Sequence, residues 1–231
     1  MDDWWQRVTA TTPSPDLRVT LLLALVALGC IAWAPVWRVT RHLVTVAHEG
    51  AHGLVALLAG RQLSGIRLHS DSSGLTVSRG RPNGPGMVLT LLAGYLGPSV
   101  LGLLVALGIH AGHAVGTLWA LLVALALLLL QVRNLYGLWV VLVSAAALAA
   151  VTQWLDPTVQ AAVAQTICSF LLIAGPWSLI DLQRSRRTGV ARRSDPDQLA
   201  RITRAPGTVW WALLLLISLG CLAAGGALLL R

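Results

Sequence analysis

The chain has 231 residues, 56% of them hydrophobic and 11% charged, and its mean hydropathy of +0.72 excludes a water-soluble globule of this size. Its formal charge of +8 rests on arginine alone, which in a soluble protein would suggest nucleic acid; here the arginines cluster between apolar runs, as membrane topology requires. Cys30, Cys168 and Cys221 lie far apart, each within an apolar run, so a disulfide framework and a cysteine metal cluster are excluded and small core residues are expected.

Residues 1–18 lack the basic region, short apolar core and small-residue cleavage site of a signal peptide, so the first span is expected to be retained, with Trp4-Trp5 as an interfacial anchor. Residues 19–37 are long enough to cross a bilayer and end in Trp33-Ala34-Pro35-Val36-Trp37. A short link bearing Arg38 and Arg41 leads to a second span, about residues 40–60.

That second span carries His48-Glu49-Gly50-Ala51-His52 near its middle. Residues four apart on a helix share a face, so His48 and His52 can present both imidazoles to one metal ion. Glu49, the only glutamate in the chain, is placed to act as general base on a water in the metal's open position. The plainer reading has hydrogen-bonded histidines and a glutamate paired to an arginine. The setting disfavours it, because ionisable groups in an apolar span cost roughly 2 to 3 kcal/mol each and three within one turn need a purpose.

In residues 61–80, Ile66, Leu68, Leu75 and Val77 alternate with polar residues around Asp71-Ser72-Ser73-Gly74, which predicts a β-hairpin at the membrane face. Residues 84–109 form a third span interrupted by Gly94-Tyr95-Leu96-Gly97-Pro98-Ser99, small residues and a proline that suit a packing notch, a kink or the lining of a site. His110 and His113, near its outer end, read as solvated loop histidines rather than a metal entry site. Residues 116–130 and 135–151 make a fourth and fifth span separated by Arg133-Asn134; residues 159–182 make a sixth, with Gly175-Pro176 and Asp181; and residues 208–230 make a seventh. The fold class expected is an all-α polytopic membrane protein of about seven transmembrane helices with a small cytoplasmic-side β-hairpin, forming one domain over residues 1–231.

The polar stretch 183–207 holds Arg184, Arg186, Arg187, Arg192, Arg193, Arg201 and Arg204, so the positive-inside rule places it, the hairpin and the N-terminus in the cytoplasm. Arg38 and Arg41 are the exception on the outer side. Within this stretch Ser194-Asp195-Pro196-Asp197 predicts a helix cap with proline at the first helical position and a short amphipathic segment to Thr203.

Taken together, these residues resemble the site-2 proteases, zinc metallopeptidases that cut substrate helices within the membrane. The resemblance rests on the His48-Glu49-Gly50-Ala51-His52 motif, the hairpin of residues 61–80 and Gly97-Pro98 in the third span. Asn134 stands where the family has an asparagine opening a segment that ends in Asp-Gly, whose aspartate is the third zinc ligand. Here no aspartate follows Asn134 until Asp156, on the outer side. The tail is similar to that of a divergent bacterial branch with an aspartate near the end of the sixth span and a Ser-Asp-x-x-x-Leu-Ala segment, here Asp181 and Ser194-Asp195 with Leu199-Ala200. The resemblance implies Zn2+ as cofactor, a bacterial cytoplasmic membrane, and a substrate that is a single-pass regulator such as an anti-sigma factor. It also implies that Asn134 holds the substrate backbone or the developing oxyanion.

A catalytic zinc site usually has three protein ligands plus water, and two histidines leave it one short. Asp181 is the expected third ligand, because it lies at the cytoplasmic end of the sixth span just after Gly175-Pro176, which can bend that helix toward the second. Asp195 is the rival, if its loop folds back beneath the hairpin; Asp197 is expected in a solvated or dipole-related role. The function expected is an intramembrane zinc endopeptidase with Glu49 and Asn134 as catalytic groups and His48, His52 and Asp181 on the metal. The alternatives are a non-proteolytic metal-binding or transport protein and an inactive protease-derived scaffold. A carrier should show several polar ligands along a path and an internal repeat, neither of which is present.

Overall fold

The computed structural model describes residues 2–13, 15–188 and 194–231, with backbone alone for residues 2–4 and 7. The Trp4 half of the expected anchor, and Arg192 and Arg193 of the basic stretch, therefore lie outside the described side chains. The helices are α1 (Asp2–Thr9), α2 (Leu17–Ala32), α3 (Ala34–Leu58), α4 (Pro85–His110), α5 (Ala114–Leu129), α6 (Leu135–Trp154), α7 (Pro157–Arg187), α8 (Asp195–Ile202) and α9 (Gly207–Leu229). The strands are β1 (Gln62–Leu68) and β2 (Gly74–Arg79).

Four of these helices, α4, α6, α7 and α9, are long and apolar enough to cross a membrane singly. Together α2 and α3 pass the same test, but they meet at 101°, so they form a broken span rather than two antiparallel crossings, and α5 is shorter than a full span. By length and composition there are thus four candidate spans, or five with the bent pair as one, and seven are not confirmed. The break between α2 and α3 lies at Trp33, which caps α3 in an extended conformation with Pro35 in its first turn, so helix resumes at Ala34. The expected link through Arg38 and Arg41 is consequently helical, the N-terminal part of α3 itself. With these helices the chain is an integral membrane protein.

The helices pack around α4, which contacts α3, α5, α7, α8 and α9. Small residues make the approach possible: a Cβ at Gly97 would fall 2.6 Å from the Ala51 Cβ on α3, and one at Gly102 would fall 3.0 Å from the backbone of Leu172 on α7. Pro98 and Pro176 sit inside continuous helices, buried against neighbours that cover the freed backbone. One core joins Ala106 and Ile109 of α4 to Leu118, Ala164, Cys168 and Leu172, and a second joins Ala27 and Ile31 of α2 to Phe170 and Ala174 of α7. The cysteines are all free, Cys168 and Cys221 buried.

The expected hairpin is present as an antiparallel pair, Gln62 opposite Arg79 and Leu68 opposite Gly74, with an irregularity between Leu63 and Gly65. On its other side β1 pairs with the segment before α6: the Ile66 N–H donates to the Gln131 carbonyl, and the Arg133 N–H donates to the Ile66 carbonyl, both at 2.8 Å. Gly65 (φ +145°) is needed there, since a Cβ would press into Arg133. Ile66 and Leu68, almost fully buried, pack with Val46 of α3 and Val141 of α6, which seats the hairpin on α3. Its tip is tied down as the Thr45 hydroxyl donates to the Ser72 carbonyl at 2.7 Å.

Candidate metal centre

Helix α3 is amphipathic enough to bury one face against α4 and the hairpin, and on that face lie His52 and Glu49, the latter only 5% exposed. One turn apart, His48 and His52 bring their Nε2 atoms to 3.1 Å of each other. The Asp195 Oδ2 lies 3.2 Å from each. Ligand atoms about 2.1 Å from a tetrahedral ion are roughly 3.4 Å apart, so this triangle approximates one face of such a coordination shell.

Proton positions decide what the triangle can hold. The His52 Nδ1 is 2.7 Å from the Thr90 carbonyl, which can only accept, so Nδ1 carries a proton and Nε2 is the nitrogen left to bind a metal. The Asp195 Oδ2 is buried and, despite its proximity to both rings, has no partner with hydrogen-bond geometry among the described residues. Burial opposes its ionisation, but protonated imidazoles of His52 and His48 beside it, as a metal ion would in their place, hold the carboxyl well below the usual carboxylate range. A buried carboxylate and two imidazole Nε2 atoms converging on one point are a donor set that a cation would satisfy. Among the described residues, His48, His52 and Asp195 are the group able to hold a metal.

The third member arrives on α8, a helix that packs against α4 and α9 and buries Pro196 and Leu199. Its start is fixed at Ser194, one residue earlier than expected, so Pro196 takes the second helical position. The Asp197 carboxylate accepts from the Ser194 hydroxyl at 2.6 Å and, through its other oxygen, from Arg186 of α7 at 2.6 Å. Burial raises Asp197, but the Ser194 and Arg186 bonds outweigh it and hold the carboxyl below its ordinary value. Arg186 therefore anchors the first turn of α8, and with it Asp195. Arg186→Gln is expected to weaken metal binding by about tenfold, as loss of outer-shell support does, read by chelator competition.

Asp181 does not join the group. It is half-buried on α7 and takes part in no ion pair among the described residues, and α4 packs against both α3 and α7. The acid that meets the histidines is the rival, Asp195, because α8 folds back onto α4. Asn134 is also placed otherwise than expected. Its Nδ2 donates to the Leu68 carbonyl at 2.7 Å and its Oδ1 accepts from the Leu68 N–H at 3.1 Å, so the carboxamide extends the pairing along β1 instead of facing a substrate.

Thr76 and Thr90, which hold Glu49 and His52, carry no motif in the sequence. Glu49 has no ion pair among the described residues; its Oε2 accepts from the Thr76 hydroxyl on β2 at 2.6 Å. A Cβ at Gly74 would lie 2.5 Å from the Glu49 Cγ, so β2 passes over the carboxylate only because that residue is glycine. Tyr95 sets its ring edge against His48, centroids 4.7 Å apart. Gly94 lines the centre: a Cβ there would press into both imidazoles, 2.7 Å from the His48 Nε2. Gly94→Ala is expected to lose most bound metal while costing about 1 to 3 kcal/mol in stability; unchanged metal content on elemental analysis would show the space to be unused. The Gly94–Ser99 stretch thus provides both a lining residue and, at Gly97, a packing notch.

The family model described as Peptidase M50B-like matches residues 21–225 and so covers α3 to α8, most of α2 and α9, the hairpin and the three residues able to hold a metal. The chain belongs to this peptidase family. These are site-2 proteases, the family resembled by the His48-Glu49-Gly50-Ala51-His52 motif. Comparison with curated proteins and with solved structures gives no match. In this M50B-like peptidase the Ser194-Asp195 segment lies inside the match, as part of the family's domain rather than an appendage.

Proposed function

We propose that this M50B-like peptidase is an intramembrane zinc endopeptidase that hydrolyses a peptide bond in a membrane-spanning substrate segment. The observation that carries the reading is the convergence of His48, His52 and Asp195 on one point beside a buried Glu49 from the same helical turn. Both histidines and the carboxylate suit zinc, which when bound supplies the Lewis acidity that polarises a carbonyl and acidifies a water.

The chain's own groups perform the rest. Thr90 holds His52 in the tautomer that frees Nε2. Thr76 occupies the Oε2 of Glu49, so Oε1 receives the proton of the attacking water and passes it to the leaving amine. The low dielectric of the surrounding helices strengthens each of these interactions. Asp195 of the basic stretch and Thr76 of the hairpin both reach the same turn of α3, so both segments belong to one side; the arginines make that side cytoplasmic. The substrate class that fits is a single-pass regulator presenting an unwound segment from that side.

The test is elemental analysis of the purified protein with cleavage of a single-pass substrate. Stoichiometric zinc is expected in the wild type, and its loss, with loss of cleavage, in His48→Ala and His52→Ala. Equal zinc in all three proteins would overturn the reading.

A further inference from the structure

We propose that the recess between α7 and α9, with the arginines at its rim, is a binding site for an anionic phospholipid. The recess, of about 230 Å³, is lined by Ile180, Gln183, Arg184 and Arg187 of α7 and by Trp211 and Leu215 of α9. It lies where the apolar part of α7 ends and α9 begins, at the depth where a bilayer changes from hydrocarbon to headgroups.

Its charges are unbalanced. Of the three arginines at the end of α7, Arg186 turns to Asp197 on α8, whereas Arg184 and Arg187 are exposed and take part in no ion pair among the described residues. The lining contains no carboxylate. The Gln183 Oε1 accepts from Arg186 at 3.1 Å, so its amide N–H groups remain donors. The walls are held in place: the Arg184 guanidinium lies 5.3 Å over the Trp177 ring, and the Trp211 Nε1 donates to the Leu179 carbonyl at 2.8 Å.

The recess itself is walled almost wholly by carbon, so the exposed guanidiniums of Arg184 and Arg187 form its basic rim, where forked donors suit a phosphodiester. Ile180, Leu215 and the Trp211 ring form an apolar floor for the glycerol and first acyl carbons, which a free phosphate would not use. A choline or ethanolamine headgroup would bring its cation against two arginines, so the site selects net negative lipids such as phosphatidylglycerol. The volume, about that of eight waters, suits the glycerol end of one lipid rather than a whole lipid.

The experiment is native mass spectrometry of the full chain in neutral detergent, titrated with equal phosphatidylglycerol and phosphatidylcholine. The wild type is expected to retain one phosphatidylglycerol with about tenfold or greater preference. Arg184→Gln/Arg187→Gln should abolish the preference. Arg201→Gln/Arg204→Gln, which removes the same charge from the same basic stretch outside the recess, should keep it. Leu215→Trp fills the recess with the charges intact and should also lose the lipid, a second route to the result if the double variant is poorly folded. No preference in the wild type would overturn the proposal. So would equal loss in both arginine pairs, which would indicate diffuse attraction, or full displacement by millimolar inorganic phosphate, which would indicate a phosphate site.

Discussion

Asp195→Asn is expected to remove most of the bound zinc and the activity with it, while Asp181→Asn keeps both. The Oδ2 of Asp195 is 3.2 Å from both imidazole Nε2 atoms and has no other partner among the described residues, so its charge is committed to whatever the triangle holds. Asparagine preserves volume but replaces the anion by a neutral amide, a poor zinc ligand. Losing an outer-shell partner typically weakens a metal by about 10 to 100-fold, and losing a direct ligand exceeds that. Chelator competition on the two variants measures the difference. Full metal in Asp195→Asn with loss in Asp181→Asn would return the third ligand to α7.

The metal motif was legible because helix periodicity is local: His48, Glu49 and His52 sit on one turn whatever the rest of the chain does. The hairpin was legible for a similar reason, as Ile66, Leu68, Leu75 and Val77 alternate around a turn of small polar residues. Choosing between Asp181 and Asp195 required tertiary information. Proximity to the apolar span favoured Asp181, but α8 returns to α4 through Leu199 and the Arg186–Asp197 pair, contacts that sequence order does not reveal. Asn134 misled for the opposite reason, since a carboxamide suited to a substrate backbone is equally suited to the chain's own β1.

The span count differs at two places, the break at Trp33 and the short helix α5. Hydropathy treats residues 19–60 as two crossings because it measures composition and not direction. The extended Trp33 and the proline that follows turn the chain by 101° and let α3 continue through Arg38 and Arg41. That geometry also explains how a helix so polar is accommodated, because its ionisable face is covered by α4, α8 and the hairpin rather than by lipid.

Glu49→Gln is expected to retain stoichiometric zinc and to lower the cleavage rate by about 10² to 10⁴-fold, the usual range for a general base. Glutamine keeps the shape and still accepts from Thr76, but its amide cannot take up a proton, so the chemical step fails while the metal triangle is untouched. Thr76→Val separates positioning from proton transfer. It removes the 2.6 Å bond that orients the carboxylate and leaves the carboxylate itself in place, so zinc should stay stoichiometric while the cleavage rate falls by less than in Glu49→Gln. A Thr76→Val rate equal to that of the wild type would mean that Thr76 shapes the hairpin and does not position the base; unchanged cleavage in Glu49→Gln would remove the glutamate from the chemistry altogether.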